Sequence, residues 1–309
     1  MNKYLPEGLL IGSASNSAAA AGVSSLKDAM NQELILESRA ALCDKEHNIH
    51  VNLGCMHGII PRSEGALGID DGSVRDIALI SRVGKPVCFI IKEIRKNAEG
   101  RMYAVLSRKG AQEKCREEYV KRLSPGDVIA VKVSHMESFG VFCDIGAGIS
   151  ALLPIDSISV SRIPHPSARF FVGQQIRAVV KSIDDTGRVT LSHKELLGSW
   201  EENARLFSVG ETVPGIIRSI ESYGVFVELT PNLAGLAEYN ENVREGQSAA
   251  VYIKNIIPER MKIKLVIVDY YDEKQERQPP RYFTDSDRLS YFCYSPAECE
   301  KKLESIFAG

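Results

Sequence analysis

The chain has 309 residues, 44% hydrophobic and 25% charged, with a net charge of −2. That balance describes an ordinary soluble globular protein of about two or three domains. It holds no apolar run near the roughly 20 residues that cross a bilayer, and a duplex-DNA binder working by phosphate neutralisation would be more basic.

The first residues, "MNKYLPEGLLIGSASNSAAAAGVSS", carry one early lysine and a Ser/Ala-rich stretch without the compact apolar core of a signal peptide. They predict a cytoplasmic protein. "SSLKDAMNQELI" (24–35) predicts a short helix capped by its serines. "ILESRAALCDKEHNIHVNLGC" (35–55) supplies two strands and a hairpin turn, and "VGKPVCFIIKEI" (83–94) and "GRMYAVLSRK" (100–109) two more. "SRKGAQEKCREEYVKRL" (107–123) places Ala111, Cys115, Tyr119 and Leu123 at helical spacing.

Next come "DVIAVKVSHM", alternating Val/Ile with polar residues, and "ESFGVFCDIG" (137–146). The latter returns as "ESYGVFVELT" (221–230), and one offset of 84 aligns Gly126 with Gly210, Phe139 with Tyr223, Gly140 with Gly224 and Phe142 with Phe226. This is an internal repeat. Beyond it "VGQQIRAVVKSI" (172–183) matches "REGQSAAVYIKNI" (244–256) at an offset of 73, so the middle copy carries 11 more residues (84 − 73) around "SISVSRIPHPSARFF". A weaker copy lies upstream, where "GIIPRSE" (58–64) matches "ALLPIDS" (151–157). Each copy reads as about five short strands, which fits a small closed barrel better than a sandwich.

"HKELLGSWEENARLF" (193–207) predicts a helical connector, "EKQERQPPR" (273–281) a solvated linker, and "SPAECEKKLESIF" (295–307) a helix with Ser295 as its N-cap. The expected fold is therefore mainly β: three tandem five-stranded barrels joined by short helices, with a helical C-terminal tail. The expected segments are 1–33 (tail with a short helix), 34–110 (degenerate first barrel), 111–123 (helical linker), 124–195 (second barrel), 196–208 (helical linker), 209–269 (shortened third barrel) and 270–309 (charged linker and helix).

Seven cysteines, with no C-x-x-C pair, argue for reduced thiols over disulfides or a zinc ribbon. Six scattered histidines show no metal-ligand spacing, "GAG" (146–148) is a hairpin turn, and "SSLK" lacks the motifs that accompany a catalytic S-x-x-K. No enzyme, cofactor or metal is expected. Charge is uneven, 12 Lys/Arg against 9 Asp/Glu over 34–110 but 6 against 8 over 209–269. A nucleic-acid grip must then lean on stacking and on local cations.

"PGDVIAVKVSHMESFGVFCDIGAGISALLP…VGQQIRAVVKSIDDTGRVTLSHKE" closely resembles the S-one domain, the RNA-binding OB-fold repeat of bacterial ribosomal protein S-one. The 209–269 copy resembles it with a shortened middle, and the 34–110 copy more weakly. The resemblance implies a single-stranded RNA (mRNA) binding protein in translation, associated with the small (30S) ribosomal subunit, or alternatively a free regulator of particular transcripts. It implies RNA-facing roles for Phe139, Gly140, Phe142, Tyr223 and Phe226. Phe139 and Phe142 stand three apart, so strict strand alternation sets them on opposite faces unless the chain bends at Gly140. Arg162 and Arg188 match the family's basic positions, and Lys132 and Arg218 are placed to reach phosphates. The family histidine after the third strand is replaced by Pro61, Pro154 and Glu238, which lowers the expected affinity. The first copy lacks the aromatic–glycine string, so it is expected to serve docking and not base stacking.

Overall fold

The computed structural model describes residues 4–272 and 279–307. By their contacts the residues sort into two units: the chain up to Leu123 together with Asp144–Ser150, and Ser124–Cys143 together with the chain from Ala151 on.

In the first unit, α1 (Ala14–Ala19) and α2 (Val23–Asn31) precede a closed barrel. Its strands are β1 (Leu36–Cys43), β2 (Ile49–Asn52), β3 (His57–Ile60), β4 (Pro86–Lys96) and β5 (Met102–Ser107), with α3 (Ile77–Ile80) before β4 and α4 (Arg108–Glu118) after β5. The order around the barrel is β1-β2-β3-β5-β4, with β3 and β5 parallel. Alternation sorts the side chains: Ile49 and Val51 are buried while His50 and Asn52 between and after them are not. Phe89 and Leu106 fill the centre of the core. Gly58 lets β3 approach β5, since a methyl there would lie 2.6 Å from Leu106 Cδ1.

The expected serine cap of the 24–35 helix is not formed. Its N-cap is Gly22, and the two serines fall inside the helix. Leu26 and Ala29 seat the helix on the barrel core, so packing and not capping fixes it. In α4 the cap is Ser107, whose Oγ accepts from Gly110 N at 2.7 Å, and Ala111 and Cys115 face inward as their spacing predicts.

Residues 4–11, which read as tail in the sequence, are packed structure. Glu7 is buried, and its carboxylate accepts from Arg108 Nε (2.7 Å) and Nη2 (3.1 Å), from Arg82 Nη1 (2.8 Å) and from Cys88 N (3.2 Å). Glu37 accepts the N–H groups of Gly8, Leu10 and Ile11. Asp144 accepts Glu7 N at 2.7 Å and Gly146 N at 2.9 Å. Although burial opposes it, Arg108 holds Glu7 below its ordinary value. Burial and the neighbouring Glu7 carboxylate push Asp144 up to about 7.

A raised carboxyl stabilises the fold while it keeps its proton. That contribution is complete below its ordinary value of 3.8 and is lost as pH rises through about 7. Thermal unfolding of the first unit is therefore expected to move to lower temperature between pH 6 and pH 8, and Asp144→Asn to flatten that slope. An unchanged slope in the variant would exclude Asp144 as its source.

The second unit holds two barrels of the same order. One is built from β6 (Val128–Glu137), β7 (Gly140–Asp144), β8 (Ser150–Pro154), β9 (Gln175–Ile183) and β10 (Val189–Ser192). The other is built from β11 (Thr212–Glu221), β12 (Gly224–Thr230), β13 (Leu233–Ala237), β14 (Ser248–Ile257) and β15 (Lys262–Tyr271). Each closes through one parallel pair, β8 with β10 and β13 with β15. Three closed five-strand barrels make the chain mainly β, as the sequence predicts. Buried Asn232 ties these two barrels together: its Oδ1 accepts Val160 N at 3.0 Å and its Nδ2 donates to the carbonyls of Lys194 and Gly198 at 2.8 Å each.

The helix expected over 193–207 is broken. A 3-10 turn at Lys194–Leu197 stops at Gly198, whose φ is +82°, and α5 (Trp200–Ala204) starts afresh from the Ser199–Glu202 capping box. The helix expected over 295–307 does not form. Instead β16 (Tyr291–Cys293) pairs antiparallel with β17 (Glu304–Ile306). Ser295 Oγ accepts Leu303 N at 2.8 Å across this hairpin, so the residue expected as a helix cap closes a loop. Tyr294 and Phe307 are buried, and Tyr294 Oη donates to Asn232 O at 2.6 Å. These long-range contacts outweigh a local helix propensity. Of the expected solvated linker, 273–278 lie outside the described residues. Beyond it Phe283 packs on Gly198, and Arg177 donates to the carbonyls of Thr284 (2.6 Å) and Ser286 (2.7 Å).

Candidate nucleic-acid interface

The repeated string forms the β6–β7 and β11–β12 hairpins. Ser138–Phe139 and Ser222–Tyr223 are two-residue turns, so each aromatic stands outside the strand ladder. Strand alternation no longer governs it, and it meets the ring two residues beyond the glycine. Phe139 and Phe142 lie 6.0 Å apart between centroids at 89°, and Tyr223 and Phe226 lie 6.2 Å apart at 90°. Both pairs are edge-to-face, the arrangement that the ring quadrupoles favour. Phe139 is 54% exposed and Tyr223 67%, while Phe142 and Phe226 are half-buried behind them. Each hairpin thus presents one open ring braced by another.

The glycines serve the barrel. A methyl on Gly140 would lie 2.6 Å from Leu153 O, and one on Gly224 2.5 Å from Ala237 O. The close approach they permit is between the hairpin and the next strand, where Ile155 N donates to Phe139 O at 2.9 Å.

The basic residues divide. Arg162 and Arg188 are exposed, Arg188 following a turn in which Asp184 Oδ1 accepts its N–H at 2.9 Å. Lys132 is half-buried on β6, opposite Gln175. Arg218 does not face solvent. Its Nε and Nη2 donate to Glu228 Oε2 (2.8 Å) and Oε1 (3.0 Å), and Arg169 Nη2 donates to the same carboxylate at 2.5 Å. The Arg218 fork is committed to a buried ion triad, which removes it from the phosphate-facing residues.

One ring escapes the sequence reading. His135 stacks on Phe142 at 6.2 Å and 20°. Its signal lay in the hairpin register, where β11 residue Ser219 faces Phe226 and His135 is its counterpart.

Barrels of this order with open rings on the second-strand hairpin define a class, the OB-type fold whose corresponding face binds oligonucleotides. Residues 122–194 match the S1 RNA binding domain. Over 233 residues, 70% of this chain and 39% of the relative, the chain is 29% identical to the small ribosomal subunit protein bS1 of Rhizobium meliloti (strain 1021). Over 180 residues it is 30% identical to bS1 of Staphylococcus aureus (strain COL), covering 53% of this chain and 46% of that protein. The match to the S1 RNA binding domain falls on the middle barrel, and the similarity to bS1 extends over 70% of this chain. It spans less than half the length of these curated relatives. A Streptococcus pneumoniae multidomain protein with nucleic acid binding domains aligns over 78% of this chain and 75% of its own, at 14% identity and a TM-score of 0.26. GSP13 from Bacillus subtilis aligns over 23% and 55%, at 21% identity and 0.22. Those scores add nothing to the fold read from the barrels. Among the described residues, no helix is long and apolar enough to cross a membrane, and no group of three or more His, Cys, Asp and Glu is placed to hold a metal.

Proposed function

We propose that the chain binds single-stranded RNA in translation, holding mRNA at the small ribosomal subunit as a short relative of bS1. It acts as a cytoplasmic binding protein, without enzymatic activity, cofactor or metal. The observation that carries this reading is the pair of matching open rings, Phe139 and Tyr223, each braced edge-on, with one of them in the barrel that matches the S1 RNA binding domain. A base stacked on an exposed ring contributes about 1–3 kcal/mol with little sequence preference. Phe142 and Phe226 hold those rings in place, and Lys132, Arg162 and Arg188 meet the backbone.

Three cations on a chain of net charge −2 give a shallow salt dependence. For single strands the slope of log K against log salt is expected near about −2, from about −0.7 per phosphate neutralised. Titration with labelled single-stranded and duplex RNA over a salt series tests this. Preference for the single strand with a shallow slope is expected; equal binding, or a steep slope, would contradict stacking. Sedimentation of tagged protein in sucrose gradients tests the ribosomal part, with co-migration with the small subunit expected. A chain that binds RNA but stays at the top of the gradient is instead a free regulator of transcripts.

A further inference from the structure

The first barrel carries its own version of the repeated string, written in histidine. In register, β1 Leu42 faces His50 and Cys43 faces Ile49, as Ser219 faces Phe226 and Ile220 faces Val225 in the third barrel. On the other side His50 faces Ile59 as Phe226 faces Leu236. Ile49 and Val51 are fully buried, as are Val225 and Val227. His50 therefore occupies the position of the bracing rings Phe226 and Phe142, and His47 lies in a turn one residue longer than that before Val225.

His50, His57 and Asp44 form a connected set. His50 stacks on His57 with centroids 5.0 Å apart and 29° between planes, and His50 Nδ1 lies 2.8 Å from His57 Nε2. On its other side His50 Nε2 lies 2.9 Å from Asp44 Oδ2. Asp44 is held in turn by the N–H groups of Glu46 and Asn48 at 2.9 Å each. A 2.8 Å contact between two ring nitrogens carries one proton between them. The pair is then neutral, or, when His50 donates on both sides, carries one positive charge. A second proton would set two N–H groups against each other and break the contact.

We propose that this set is a third single-stranded RNA subsite, in which a base stacks on the histidines of the first barrel and binding is gated by one proton. The inference rests on the RNA-binding reading above and extends it to a barrel otherwise assigned to docking. In the neutral form the Asp44 carboxylate leaves the cluster with a charge of −1, which repels phosphate. One proton cancels that charge and gives the stacked base a cation to lie against. The surrounding charges do not compete. Asp76 is paired with Arg62 at 2.6 Å and lies 3.7 Å from His47. Lys45 and Glu46 pair in the turn at 3.9 Å. On β5, Tyr103 faces His57 and bonds Arg95, which pairs with Glu93 at 2.5 Å. On β1, burial and nearby Asp44 and Asp76 raise the Cys43 thiol, so it stays neutral. Burial and His50 lower His57.

The test uses the full chain, an oligouridylate whose base does not titrate between pH 6 and pH 8, and EDTA throughout. In the wild type, binding at pH 8 reports the phenyl rings. In a Phe139→Ala, Tyr223→Ala background, the residual binding is expected to rise about three- to fivefold from pH 8 to pH 6, the scale of one exposed cation–π contact. Adding His50→Ala should remove that binding and its rise. His50→Phe should keep the binding and flatten the rise, which separates a stacking role from a folding defect. A wild type that binds while the ring-deleted chain retains nothing at pH 6 overturns this inference alone. A wild type that binds at neither pH overturns the RNA-binding reading with it. Residual binding that appears only when zinc replaces EDTA would make the cluster a metal site and also overturn the inference.

Discussion

Arg108→Ala is expected to destabilise the first unit by about 3–5 kcal/mol, the cost of stripping one partner from a buried ion pair. The Arg108 and Glu7 side chains are 3% and 6% exposed. Without Arg108, Glu7 keeps Arg82, itself 30% exposed, as a cationic partner, while Asp144 stands beside it. The variant also loses the Arg108 Nη1 bond to Gly65 O (3.3 Å), which ties α4 to the β3–β4 connection. Since the chain holds two units, a single midpoint would blur the effect. Hydrogen exchange at the β4 and β5 amides isolates it, and protection there should collapse while β14 and β15 keep theirs. Arg108→Lys restores charge but not the two-pronged contact and should fall between. Unchanged protection in Arg108→Ala would mean that the pair adds nothing beyond its own desolvation.

Glu228→Ala should have an effect of the same size in the second unit. Glu228 is 5% exposed and is the shared carboxylate of Arg169 and Arg218, themselves 9% and 11% exposed. Removing it leaves two guanidinium groups buried without a counter-charge, for about 3–5 kcal/mol. The chain's one tryptophan, Trp200, packs in the core of the third barrel, so its fluorescence during denaturation reports this site directly. A midpoint displaced to lower denaturant is expected. A midpoint held at the wild-type value would place the two arginines in contact with water and return Arg218 to the candidate phosphate contacts.

The barrels were legible because their signal is local. Alternating Val/Ile, a glycine and a turn recur at fixed offsets, and a small barrel leaves few other ways to bury them. The open rings were legible for the same reason, although their shared surface was not. That surface depends on Ser138–Phe139 forming a two-residue turn, and alternation assumed a continuous strand. Arg218 was misjudged because its carboxylate is ten residues away and the second arginine of the triad lies in the loop of another barrel. Nothing in "LPEGLL" announces that Glu7 is buried, since its partners Arg82 and Arg108 are distant in sequence. The tail looked helical from Ser295 and Pro296, and a hairpin anchored by Tyr294 and Phe307 overrode that local preference. The histidine string was hidden by its letters and emerged only from strand register.

The most direct test is a titration of single-stranded RNA against the wild type, Phe139→Ala, Tyr223→Ala and the double variant at neutral pH, with melting temperatures measured on the same samples. Each ring is more than half exposed, so truncation should leave melting within about a degree or two, as surface substitutions do. Each should weaken binding by about 1–3 kcal/mol, and the double variant by more than either single one. Earlier melting by several degrees with unaltered RNA affinity in the folded protein would show that the repeated string is architecture alone.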